Sequence, residues 1–236
     1  MKSMNIIITG ASSGIGYQAA LKLADKKGNA ILAIARSEEK LIALKNKVEA
    51  EHPSSNLDYL IFDFLSGDFA LLEKEIKKHF ASVDILINNA GYLVAKPFLE
   101  ITPEDFDYSF GVNTKAAFRL TQIVVPLMKK GAHIVNISSM GGVQGSVKFP
   151  KLSVYSSSKG AVSILTESLA AELMDKGIQV NALAFGAVDT KMLRSAFPDY
   201  KAPLTAEEMG EYLAEFACSG AKYYNGKVLP VSVSTP

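Results

Sequence analysis

A chain of 236 residues, 48% of them apolar, can bury a large core, and its length alone is compatible with one domain or two. With 25 basic against 24 acidic residues and a formal charge of +1, it lacks the charge excess of a nucleic-acid or anionic-membrane surface, so neither is expected as a partner. The single cysteine, Cys218, excludes an internal disulfide, suits a reducing compartment and reads as a small buried hydrophobe.

No apolar run approaches the roughly 18 residues of a membrane-crossing helix, and "MKSMNIIITGASSG" is too short in apolar residues for a secretion signal. A cytoplasmic protein is expected. His52, His79 and His133 are scattered without ligand spacing, so no metal site is expected.

The first strand is expected at Asn5–Thr9, "NIIIT", and the first helix over Ile15–Lys27. Between them runs "TGASSGIG", Thr9–Gly16. Gly10, Gly14 and Gly16 allow a tight turn and close approach of backbone to a bound group. The free N–H groups opening the following helix favour an anion such as a pyrophosphate. The spacing differs from the common G-x-G-x-x-G fingerprint, but the placement between strand and helix points to a nucleotide.

A second strand, Ala30–Ala35, leads into "AIARSEEK" and a helix over Ser37–Ala50. In nucleotide-binding folds an acid at this strand's tip bonds a free ribose 2′-hydroxyl, whereas an arginine accommodates a 2′-phosphate. Here Arg36 and Ser37 stand at the tip, and Glu38 and Glu39 fall later, facing solvent. A guanidinium suits phosphate, so NADP(H) is expected over NAD(H).

Strands at Asp58–Asp63, Asp84–Asn89 and His133–Ser138 alternate with helices at Gly67–Phe80 and Pro103–Lys129. Pro103 suits a first helical turn behind Thr102, while Pro126 should kink or end its helix early. The remainder reads as helix Val154–Lys176, strand Gln179–Ala184, helix Thr205–Cys218 and strand Lys227–Ser232. The strands are almost continuously apolar, as required when both faces are covered. The expected fold is a Rossmann-type, doubly wound parallel α/β sheet of about seven strands in a single domain, residues 1–236.

"YSSSK" puts Tyr155 and Lys159 four residues apart, on one face of their helix. A phenol with a reference pKa of about 10 is a poor proton donor and acceptor near neutrality. At about 4 Å and an effective dielectric near 20, an ammonium attracts a phenolate by roughly 4 kcal/mol. After desolvation that lowers the phenol's pKa by about 1–3.

Taken with "TGASSGIG", "NNAG" at Asn88–Gly91, "VNT", "NISS" before "MGG", and "YSSSK", the chain resembles the short-chain dehydrogenase/reductase family in its short single-domain branch. The match runs in order from Ile6 to about Val231. The resemblance implies a catalytic set of Asn113, Ser139, Tyr155 and Lys159. Tyr155 would protonate substrate, and Lys159 would also bond the nicotinamide ribose. Ser139, preferred over Ser138, would bond the carbonyl oxygen. Asn113 would stabilise a helix distortion and hold a relay water.

The resemblance further implies cofactor contacts from Gly10, Ser12, Ser13, Gly14, Ile15 and Gly16. Asp63 would lie beside the adenine; a helix N-cap is its plain structural reading, and the two roles can coexist. Asn89, Ala90 and Gly91 would line the adenosine and ribose region. After the sixth strand "FGAVDT" carries Phe185 where the family has proline, then Gly186, Val188 and Thr190 near carboxamide and pyrophosphate.

A short segment, Lys191–Pro203, with Met192, Leu193, Phe197 and Tyr200 would form an apolar flap. The insert Gly145–Ser153, with Val147 and Phe149, would form another pocket wall. "NGKVLPVSVSTP" lacks the usual Asp-Gly-Gly ending.

The implied activity is hydride transfer between NADP(H) and a small-molecule carbonyl or alcohol substrate, as a carbonyl reductase, possibly of 3-oxoacyl groups, with pro-S-type delivery. An alcohol dehydrogenase working oxidatively and a non-catalytic nucleotide-sensing regulator are the alternatives. Gly160, Ala161, Ser163, Ala170 and Ala171 leave parts of the Tyr155 helix small enough for close packing. With the family's helix-paired contact in view, a homodimer or homotetramer is expected.

Overall fold

The computed structural model describes residues 3–233; the first two residues and the last three of the C-terminal segment lie outside it. In chain order the elements are β1 (Asn5–Thr9), α1 (Gly14–Ala24), β2 (Ala30–Ala35), α2 (Glu38–Glu51), β3 (Asn56–Ile61), α3 (Phe69–His79) and β4 (Val83–Asn88). They continue as α4 (Pro103–Phe110), α5 (Ala116–Val124), β5 (Met128–Ser139), α6 (Ser153–Glu172), β6 (Gln179–Phe185), β7 (Val188–Asp189), α7 (Lys191–Ala196), β8 (Leu204–Thr205), α8 (Ala206–Ser219) and β9 (Val228–Val231).

The main sheet has seven parallel strands in the order β3-β2-β1-β4-β5-β6-β9. Strand order reverses between β1 and β4, the point where doubly wound sheets open a crevice at the carboxyl ends of their strands. The short β7–β8 pair and α7, absent from the expected elements, form a second small ribbon beyond β6.

Isoleucines explain why both faces are covered. Ile6 and Ile8 of β1 pack on one side with α1, α2 and α8, whereas Ile7 points to the other with α3 and α5. Successive strand residues alternate faces, so a run such as "III" is stable only with helices on both sides. His133 belongs to this core. Its Nδ1 lies 2.9 Å from the Ala217 carbonyl and its Nε2 3.0 Å from Asn181 Nδ2. Burial lowers its pKa to about 4, so it is a neutral packing residue.

The longest expected helix is not continuous. It begins at Pro103 with a capping box between Thr102 and Asp105, then passes through a π-helical turn at Gly111–Lys115. α5 ends at Val124, a 3₁₀ turn Val125–Leu127 carries Pro126, and Met128 and Lys129 already belong to β5. Proline has no N–H to continue the ladder, which is why the helix stops there instead of reaching Lys129. Among the described residues no helix is long and apolar enough to cross a membrane.

Candidate active site

A cleft of about 540 Å³ lies at the carboxyl ends of the strands, over the reversal point. Its floor is the loop from β1 to α1. A Cβ on Gly16 would lie 2.6 Å from the Gly10 carbonyl oxygen and collide with the Asn89 amide, so this packing admits only glycine. Asn89 braces the loop from behind, its Nδ2 donating to the Thr9 carbonyl at 2.9 Å. The Thr9 hydroxyl accepts from the Asn89 and Ala90 N–H groups at 3.0 and 2.9 Å. The glycine loop and "NNAG" are thereby one rigid unit.

Helix caps differ in a way that bears on anion binding. Asp68, Thr102, Thr190 and Thr205 each close the first turn of α3, α4, α7 and α8 with a side-chain oxygen. Ser13 and Ser37, which precede α1 and α2 at the cleft, make no such bond. Their helices keep N–H donors and hydroxyls for another acceptor. With Arg36 and Lys40 also lining this end, the donor set fits the phosphates of a nucleotide cofactor.

Asp63 lines the same cleft, and its Oδ1 accepts from the Leu65 N–H at 2.9 Å; the helix N-cap is Asp68 instead. Gly10, Ser12, Ser13, Gly14, Ile15, Gly16, Arg36, Ser37, Asn89, Ala90, Gly91, Gly186, Val188 and Thr190 all line it as well.

At the other end β5 delivers Ser139 and α6 delivers Tyr155 and Lys159. A Cβ on Gly142 would lie 2.6 Å from the Lys159 carbonyl carbon, so "MGG" lets the end of β5 press against the α6 backbone. Ser139 Oγ accepts from the Gly141 N–H at 3.3 Å and stands close enough to the Tyr155 phenol to favour its ionised form. Ser138 points elsewhere, bonding the Lys159 carbonyl and Ser163, each at 2.9 Å.

Lys159 is 4% exposed, and its Nζ donates to the Ile137 carbonyl at 2.8 Å. Burial lowers its pKa to about 8. The expected lowering of the Tyr155 phenol is not found in the chain by itself. Its Nζ neighbour lies 6.0 Å from the ring centroid, and burial pushes the phenol above its ordinary value, opposed only by Ser139.

Asn113, alone among the expected catalytic residues, does not line the cleft. It sits in the π turn, 3% exposed, and clamps the backbone of Tyr92, directly after "NNAG". Its Oδ1 accepts from the Tyr92 N–H at 2.7 Å, and its Nδ2 donates to the Tyr92 carbonyl at 2.9 Å and to Ser158 Oγ at 2.8 Å. A Cβ on Gly91 would be 3.5 Å from both Asn113 Oδ1 and Lys159 Nζ, so the two groups flank one point.

Phe185 is buried at the end of β6, paired across the sheet with Ser139, and contributes to the cleft wall. Met192 and Leu193 of α7 also line the cleft, but Phe197, Tyr200, Val147 and Phe149 do not. Val147 and Phe149 are largely solvent-exposed, so the insert is no wall of this cleft.

Several lining residues escaped the sequence reading, among them Lys40, Tyr92 and Tyr108. Lys40 had a signal: it follows Arg36 by four residues in the first turn of α2. Tyr108 had none, since its link to Arg36 spans 72 positions.

A doubly wound parallel sheet with a glycine-rich anion cradle and a Ser–Tyr–Lys cluster over one cleft defines a dinucleotide-type oxidoreductase architecture. Comparison with known proteins agrees. The family model described as short chain dehydrogenase matches residues 4–201. A carbonyl reductase (NADPH) 2 of Sus scrofa is 35% identical over 199 residues, spanning 83% of this chain and 76% of the relative. A 3-oxoacyl-acyl-carrier-protein reductase of Thermotoga maritima is 32% identical over 241 residues, 95% of this chain and 94% of that one. A short chain dehydrogenase of Shigella flexneri, solved in complex with NADP, superposes with a TM-score of 0.88 at 28% identity, covering 98% and 97% of the two chains. The chain belongs to the short-chain dehydrogenase/reductase family of oxidoreductases.

Proposed function

We propose that this protein is an NADP(H)-dependent carbonyl reductase, with cofactor and substrate sites on one Rossmann-type unit. Bound NADPH supplies the hydride. Ser12, Ser13 and the N–H groups opening α1 hold its pyrophosphate, and Arg36, Ser37 and Lys40 hold the 2′-phosphate end. Asp63 and Ala90 flank the adenosine, and Val188 and Thr190 the carboxamide side. Ser139 donates a hydrogen bond to the substrate carbonyl oxygen and Tyr155 transfers its proton there, so hydride plus proton convert C=O to CH–OH.

The observation that carries the reading is the convergence of Ser139, Tyr155 and Lys159 on one end of a cleft whose other end is lined by Arg36, Ser37 and Lys40. The carbonyl reductase and 3-oxoacyl reductase among the relatives favour reduction over alcohol oxidation as the working direction. Lys159, charged below about pH 8, supplies the compensating cation once the proton has left. A nucleotide sensor has no use for the converging Ser139, Tyr155 and Lys159.

Substrates are small or moderately apolar carbonyl compounds, 3-oxoacyl thioesters among them, admitted between Leu93, Phe185, Met192 and Leu193. The carbonyl reductase and 3-oxoacyl reductase among the relatives support this class. A panel of ketones, aldehydes and acyl thioesters assayed with NADPH and NADH tests the reading. Turnover should favour NADPH, and Arg36→Ala should weaken NADPH binding far more than NADH binding. Equal losses, or no turnover of either cofactor, would sink it.

A further inference from the structure

Arg36 is an exposed side chain at the tip of β2, yet it is not free. Its Nη1 donates to the Tyr108 hydroxyl oxygen at 2.7 Å, across from α4. The Tyr108 ring in turn packs on Tyr92, with centroids 4.4 Å apart and ring planes at 56°. The Tyr92 backbone is fixed at both its N–H and its carbonyl by Asn113. A continuous physical link therefore runs from the π turn, through two aromatic rings, to the guanidinium at the adenosine end of the cleft.

An unrestrained arginine loses substantial rotamer freedom when it grips a phosphate, whereas a guanidinium already held loses less. The fork has five N–H donors and the Tyr108 bond uses one, so a bidentate face stays available. We infer that Tyr108 is a positioning residue that pre-organises Arg36 for a 2′-phosphate and so sets selectivity for a 2′-phosphorylated nucleotide. This rests on the reading of Arg36 as the 2′-phosphate contact. Tyr108 acts through the arginine and contributes nothing to ligands that lack the 2′-phosphate.

Calorimetric titration with adenosine 2′,5′-bisphosphate and with 5′-AMP separates the two ideas, because neither ligand requires turnover. Tyr108→Phe keeps the ring against Tyr92 and removes only the acceptor oxygen. It should weaken the bisphosphate by about 3- to 10-fold, the ordering cost of one rotamer-rich side chain, and leave 5′-AMP within about twofold. In an Arg36→Ala background the same change should have no further effect, as a double-mutant cycle requires of two groups acting as a unit. Unchanged or tighter bisphosphate binding by Tyr108→Phe, or additive losses in the double variant, would overturn the Tyr108 role while leaving Arg36 intact. Arg36→Ala without selective loss of the bisphosphate would overturn the 2′-phosphate reading itself, and this role with it.

Discussion

At the scale of single residues, four-residue spacing put Tyr155 and Lys159 on one helix face, and only the resemblance to the family gave the pair a role. Their energetics were legible in neither. Lys159 spends its ammonium on the Ile137 carbonyl, 2.8 Å away, and both side chains are subject to desolvation that no spacing reveals. The consequence is a pH prediction. Since burial lowers the Lys159 pKa to about 8, the group is cationic below that value and neutral above it. Carbonyl reduction should therefore decline as pH rises through about 8, while Lys159→Met should be slow throughout and lack that limb. A wild-type kcat/KM profile flat from pH 6 to 10 would remove the cation from the account.

At the scale of elements, the two features that shape the site are a glycine contact and a helix irregularity. Gly16 lets α1 start against the Gly10 carbonyl and the Asn89 amide. Gly16→Ala forces these apart, so unfolding free energy should fall by about 1–3 kcal/mol, as overpacking usually costs. Nucleotide affinity should fall with it. Denaturant titration and dye-free nucleotide binding check both, and an alanine variant that binds normally would contradict the cradle.

Pro126 announced the end of its helix, since a missing N–H is visible in the residue type. The π turn was legible only through the family's asparagine. Its cause is the reciprocal bond between Asn113 and the Tyr92 backbone, 21 positions away. The Arg36–Tyr108 contact is more distant still, and nothing in local periodicity encodes it. Short polar elements such as β7, β8 and α7 also escaped, because two-residue strands carry no period to read.

At the scale of the whole molecule, a parallel sheet of about seven strands was legible in apolar strands alternating with helices, and the structure supplies the strand order. The structure sorts the small residues of α6 into two faces. Ser163 and Ala170 turn inward against the sheet, whereas Ser157, Ile164, Ser168 and Ala171 turn to solvent. Ile164 is 64% exposed there, and Phe118 on α5 is 40% exposed. That outward face also carries the exposed Glu167 and Glu172, and its small side chains with isolated large apolar ones favour close helix pairing between copies of the chain. Light scattering at micromolar concentration should give a dimer or tetramer, and Ile164→Glu should shift it toward monomer. A monomeric wild-type protein would refute the assembly.

The central claim is chemical: the half-buried Tyr155 phenol delivers the proton that completes carbonyl reduction. Its most direct test is carbonyl-dependent NADPH oxidation by the Tyr155→Phe variant, alongside NADPH binding to the same protein. Loss of general acid catalysis typically costs about 10²–10⁴ in rate. A drop of that size with cofactor affinity retained is the expected result. Turnover within a few-fold of wild type would contradict the account.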